Sequence, residues 1–212
     1  MVRLCRGWAA VAAAAVTTAP KGAKVNLLMP GAYAVTVEGG LLVLQVSGNA
    51  GDWTITVRGK EDCEADLSLF VPSWTDDAFI KVNDDGADEG KPGEYLTLHR
   101  IWKPGDVVVV QFAAPLWLEE GYHQSLTVRK GAQVMAWQPG VQWAVALVGK
   151  PVEKDGKVLA QLRPTLEWKQ GKNVPGDLPV QPACDGEAFE AELLPYAACA
   201  CRISAFPRGN KA

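Results

Sequence analysis

The chain has no strong charge of either sign. Its 212 residues carry a formal net charge of −3, so it lacks the electrostatic footprint that nucleic acid or an anionic membrane surface would require. No Ser/His/Asp spacing, phosphate loop or nucleotide fingerprint is present. No apolar run is long enough to span a membrane. The five cysteines form no CxxC pair, and Cys199-Ala200-Cys201 is too tight for the usual zinc or redox arrangement. On a strand the two would share a face, as small buried hydrophobes. An odd count gives no disulfide framework and leaves the redox compartment open.

What is present points to strands and turns. Nearly half the residues are apolar, glycine and proline are frequent, and β-branched residues cluster in short runs. Leu67, Leu69 and Val71 alternate with polar residues and run into Pro72, which marks a strand end. Phe79, Ile80 and Val82 form a second strand, closed by Asn83-Asp84-Asp85-Gly86, residues that tolerate positive φ. In a third, Tyr95, Thr97 and His99 point one way while Leu96, Leu98 and Arg100 point the other. Lys103-Pro104-Gly105-Asp106 is a turn, and Val107-Val108-Val109-Val110 reads as a fully buried strand. Further strands are expected at 25–28, 34–37, 41–46 and 53–57, broken at Gly39-Gly40 and at 47–52. A second unit starts with Leu126, Val128, Val134, Met135 and Trp137, continues at 143–148, and closes with 190–194 and 199–206. Between Gly149 and Gly186 the composition predicts mostly loop.

The order Pro72-Ser73-Trp74, Val82-Asn83, Gly93-Glu94-Tyr95-Leu96, Arg100-Ile101-Trp102 with Gly105-Asp106 resembles the β-sandwich region behind the catalytic barrel of glycoside hydrolase family 127. That group contains the β-L-arabinofuranosidases. The resemblance extends back to Val25-Asn26-Leu27-Leu28 and forward to Leu194-Pro195-Tyr196 and 202–207. Arg129-Lys130-Gly131-Ala132 departs from the family's Arg-x-Gly-Pro by lacking the proline. The resemblance implies an all-β fold of two consecutive antiparallel, jelly-roll-like β-sandwich domains, at 24–120 and 121–212, behind a short Ala-rich helix within 1–23.

Family members carry an (α/α) barrel with a zinc-bound cysteine nucleophile, a glutamate acid/base and an adjacent Cys-Cys pair among the zinc ligands. This chain has no Cys-Cys pair, and too few residues precede Val25 to build the barrel. The expectation is therefore an accessory region, inactive alone. It would have no catalytic residue, metal or cofactor of its own, and a barrel would act in cis or in trans. Cys5 is the one cysteine in the nucleophile's neighbourhood, single and next to an alanine-rich helix. Residues 1–20 have two readings, a remnant of the barrel's last helix or a short secretory signal. The second would make the protein secreted, the first leaves it cytoplasmic.

Hydrolysis of a glycoside needs two carboxyl groups about 5 to 10 Å apart. Adjacent Glu119 and Glu120 would face opposite sides of a strand, and with His123 they read as a solvated junction. Asn83, Asp85, Asp88 and Glu89 lack the spacing of a calcium loop and read as an acidic turn. Eight tryptophans suit the alternative of a stand-alone carbohydrate-binding module, because sugars pack their CH faces on aromatic rings. Trp53 and Trp168 are the candidates for exposure. Trp74 and Trp102 are expected in the core.

Overall fold

A computed structural model describes residues 2–49, 51–83, 85–121, 125–138, 145–164, 187–199 and 203–208; at 2–8 and 87 it describes the backbone. The chain divides into two compact units, 1–114 and 115–212.

The first unit opens with helix α1 (Val2–Ala15). The strands that follow are β1 (Val16–Ala19), β2 (Gly22–Val25), β3 (Gly31–Val37), β4 (Gly40–Asn49) and β5 (Asp52–Val57). After them come β6 (Cys63–Phe70), β7 (Ala78–Val82), β8 (Ala87–Glu89), β9 (Tyr95–Trp102) and β10 (Val107–Phe112). They form a four-stranded sheet, β1-β2-β6-β9, and a six-stranded sheet, β3-β4-β5-β10-β7-β8. Alternation decides which side chains go inside. Leu67, Leu69, Leu98 and Trp102 from the smaller sheet meet Leu42, Leu44, Ile55, Ile80, Val108 and Val110 from the larger one in a single apolar core. That is a β-sandwich, as the sequence implies. Pairing is antiparallel except for β2 on β6, which is parallel, with Gly22 opposite Asp66 and Val25 opposite Leu69. The close approach depends on glycine, because a Cβ on Gly22 would lie 1.9 Å from the Asp66 carbonyl oxygen.

Several boundaries differ from the sequence reading. The alanine run ends at Ala15, and β-branched Val16, Thr17 and Thr18 leave the helix for a strand paired to β2. The first sandwich therefore begins at Val16 and not at residue 24. Strand β4 runs on through Ser47-Gly48-Asn49, where a break was expected, with Gly48 at φ 132°. Of the four valines, Val108 and Val110 are buried while Val107 and Val109 are half-buried, so β10 is covered fully on one face only.

Among the described residues the second unit holds one six-stranded sheet, β11-β12-β13-β16-β15-β14. Its strands are β11 (Leu116–Glu120), β12 (Leu126–Lys130), β13 (Gln133–Ala136), β14 (Val145–Lys154), β15 (Lys157–Pro164) and β16 (Phe189–Pro195). Residues 116–120, assigned by sequence to the first sandwich, are hydrogen-bonded to β12 along their length, which moves the division to 114/115. The stretch expected to be mostly loop holds the β14–β15 hairpin. Its turn, Asp155-Gly156, has both residues at positive φ, 52° and 73°. Asp-Gly is a strong two-residue hairpin signal.

β12 and β13 pair only next to their connecting turn, at Arg129–Val134 and Lys130–Gln133. They then diverge, and residues 203–208 fill the fork. Leu126 and Phe206 exchange both backbone hydrogen bonds, at 2.7 and 2.8 Å, as do Trp137 and Ile203, at 2.9 Å each; Leu147 N–H of β14 donates to the Pro207 carbonyl at 3.0 Å. Phe206 is fully buried among Leu126, Val128, Leu147, Leu162 and Leu193. Sequence anticipated a closing segment here, but it closes the sheet by bridges rather than as a regular strand. No helix among the described residues is long and apolar enough to cross a membrane, which says nothing of β-barrels.

Candidate functional surfaces

The motif residues of the first unit are spent on the fold. Asn26, just past β2, donates from its amide to the Ala14 carbonyl (2.9 Å) and the Thr17 hydroxyl (3.0 Å), and accepts from the Tyr95 hydroxyl (2.6 Å). With the Asn26 and Leu27 backbone N–H groups on the Ala15 carbonyl, it satisfies acceptors that a helix end leaves open. Thr75, beside Trp74, is buried, and its hydroxyl lies 2.6 and 2.7 Å from the Asp77 and Ala113 carbonyls. Trp74 itself packs edge-on against Phe112. The Trp102 indole N–H donates to the Ala65 carbonyl at 3.0 Å in the core, and the Arg100 guanidinium lies over its ring.

Asn83 and Asp106 form a second tie. Asn83 sits at φ 51°; its amide donates to Asp106 Oδ1 at 2.9 Å and its carbonyl accepts from Val107 N–H at 2.8 Å. Asp106 Oδ2 accepts from Lys103 N–H at 2.8 Å. Burial opposes charge on Asp106, but the Lys103 N–H, the Asn83 amide and the nearby Arg100 and Lys103 cations together outweigh it. They hold the carboxyl below its usual range. Gly105, at φ 97°, takes the left-handed position anticipated for that turn.

What remains available lies on outer faces. On the four-stranded sheet, register places Lys24, Ser68 and Thr97 in one row and Asp66 and His99 in the next. His99 Nδ1 is 2.5 Å from Asp66 Oδ1 and its Nε2 is 3.8 Å from Glu64. Ser68 and Thr97 share a hydroxyl hydrogen bond of 2.9 Å. Tyr95, exposed at one end of this face, packs on Phe70, and the Lys24 ammonium lies 4.9 Å above its ring. This is a polar, internally paired surface.

The second unit carries a different surface on β11 and β12. Trp117 stands opposite Arg129 in the pairing register, and the guanidinium lies 5.7 Å from its ring. The indole N–H points to the Gly131 carbonyl at 3.4 Å, while Arg129 Nε donates to Glu119 Oε2 at 2.5 Å. Glu120 pairs instead with Arg208 at 3.5 Å. The two adjacent glutamates thus serve separate ion pairs.

Of the tryptophans singled out by sequence, Trp53 is half-buried and packed against the first core, while Trp168 lies outside the described residues. His123, Cys184 and Cys201 lie outside them too, and of Cys5 only the backbone is described. Cys63 and Cys199 are buried, and burial pushes the Cys63 thiol up, away from nucleophilic character. In the acidic turn, Asp85 pairs with Arg100. Among the described residues no group of three or more His, Cys, Asp or Glu could hold a metal ion.

Residues 22–114 match the family model described as beta-L-arabinofuranosidase, GH127 middle domain. The first unit carries that family match. Among solved structures, a GH127 beta-L-arabinofuranosidase from Geobacillus stearothermophilus T6 is similar to 99% of this chain, with 16% identity and a TM-score of 0.68. Another, described as a GH127 beta-arabinofuranosidase, is similar over 91% of the chain with 17% identity and a TM-score of 0.65. A glycoside hydrolase is similar over 92%, with 21% identity and a TM-score of 0.62. The chain spans little more than a third of their lengths, 36–37%. At these identities the likeness shows the fold. No curated protein matches the chain. The GH127 middle-domain match ends at residue 114, where the first compact unit ends.

Proposed function

We propose that the chain is the non-catalytic β-sandwich accessory region of a GH127-type β-L-arabinofuranosidase, serving a catalytic (α/α) barrel in cis or in trans. One observation carries this reading. The side chains that most mark the resemblance, Asn26, Asn83, Tyr95, Trp102 and Asp106, all have their polar atoms engaged within the first unit. Such residues fix a scaffold. Nucleophile, acid/base and zinc would belong to the barrel, where a cysteine glycosyl intermediate would form.

The test is an assay of the purified chain on an aryl β-L-arabinofuranoside, with zinc and a thiol reductant supplied. No turnover above a heat-inactivated control is expected. Turnover that disappears in Cys5→Ser would overturn the proposal and give the chain a nucleophile of its own.

A further inference from the structure

We propose a carbohydrate-binding site on the outer face of β11 and β12, built from Trp117, Arg129 and Glu119 and suited to neutral pentofuranosyl oligosaccharides. Alternation along β11 separates the roles: Trp117 is 36% exposed, while its neighbours Leu116 and Leu118 pack against the second core. Part of the indole thus faces solvent on the outer side of an edge strand, away from the second core.

The ring is held in place from two sides. Its N–H is directed at the Gly131 carbonyl and the Arg129 guanidinium lies against it, so little orientation remains to be lost on binding. Sugars need an apolar plane for their CH faces together with donors and acceptors for their hydroxyls. Arg129 uses Nε on Glu119 and one Nη1 hydrogen on the Ala132 carbonyl at 3.4 Å. Its Nη2 group therefore has no acceptor among the described residues. Glu119 engages one carboxylate oxygen, Oε2, with Arg129, leaving Oε1 to accept a hydroxyl, and its side chain is 43% exposed. A donor and an acceptor thus flank an oriented aromatic plane, and their opposite charges cancel locally, which favours a neutral ligand over an anionic one.

The polar face of the four-stranded sheet is less suited to sugar. Tyr95 spends its hydroxyl on Asn26, and His99, Asp66, Ser68 and Thr97 are paired among themselves. Trp53, half-buried against its core, offers less ring. The choice of pentofuranosyl ligands rests on the GH127 accessory reading; the site itself rests on the geometry.

The experiment is titration calorimetry of the whole chain with arabinofuranosyl oligosaccharides and, separately, with cello- and xylo-oligosaccharides. Saturable binding of the furanosyl series is expected, at least about tenfold weaker in Trp117→Ala and unchanged in Ile101→Ala, which truncates an exposed apolar side chain of β9 in the first unit. If Trp117→Ala fails to fold, Arg129→Met keeps an apolar stem while removing the donors, and the same direction of loss is expected. Absence of binding, binding insensitive to both substitutions, or binding confined to the pyranosyl series would overturn the proposal. None of these outcomes bears on the turnover assay, so the site and the accessory reading fail separately.

Discussion

The two units solve the same problem differently. The first closes its core by laying one sheet over another and pins its turns with side chains: Asn26 at the helix end, Thr75 under the Pro72 corner, Asn83 on Asp106. The second, among its described residues, has a single sheet and closes it with backbone, by threading residues 203–208 into the fork between β12 and β13. Side-chain pins leave recognisable residues at fixed spacing. Backbone bridges leave almost none, because any residue but proline can supply both groups. The family match, residues 22–114, lies in the unit that carries the side-chain pins.

The comparison breaks most sharply in the cores. Trp102→Ala, which deletes a fully buried ring and the indole hydrogen bond to the Ala65 carbonyl, should cost the first unit about 3–5 kcal/mol, measured by urea unfolding. The second unit should keep its own transition, and a shared loss would mean that the two do not unfold separately. Phe206→Ala should cost the second unit about 3 kcal/mol or somewhat more, because the ring anchors the closing segment in the core. An unaltered second transition would show that the bridges hold without it.

A finer probe is acid. The folded Asp106 carboxyl lies below its usual range, so its contribution is present above the unfolded pKa of about 3.9 and is lost as pH falls through the lower, folded value. Asp106→Asn should therefore cost on the order of 1 kcal/mol at neutral pH, and the gap from the parent should narrow below about pH 4. A gap independent of pH would remove the carboxylate from the first unit's turn. The smallest effect is expected for Glu192→Gln. Its partner Lys157 makes a 3.0 Å pair in solvent, and the change should stay within about 0.5 kcal/mol.

The legible parts of the sequence were those with period and punctuation. Leu67-x-Leu69-x-Val71 and the Leu96, Leu98, Arg100 side of β9 read correctly because the two faces meet different surroundings. Strand β1 was hidden by the alanine run before it, since helix propensity says nothing about where tertiary pairing will take over. The β14–β15 hairpin was lost in a charged composition, although Asp155-Gly156 announced its turn. The Trp117 surface was also missed. One clue was available, an aromatic between Leu116 and Leu118, but the exposed side became evident only once those leucines were seen to face a core. Trp53 shows the converse, a tryptophan beside a turn whose strand happens to aim it at packing atoms.

The fork filled by residues 203–208 bears on how this protein fails. Glu120 and Arg208, tied across the closed unit, are 88 residues apart in sequence. Until the late segment docks, the facing backbones of β12, β13 and β14 present unpaired donors and acceptors at Leu126, Trp137 and Leu147. Open edges of this kind are templates for strands from other molecules. A lesion in the segment would then be felt as self-association during slow, long-range folding, and it would surface as lost solubility before any unfolding curve recorded it.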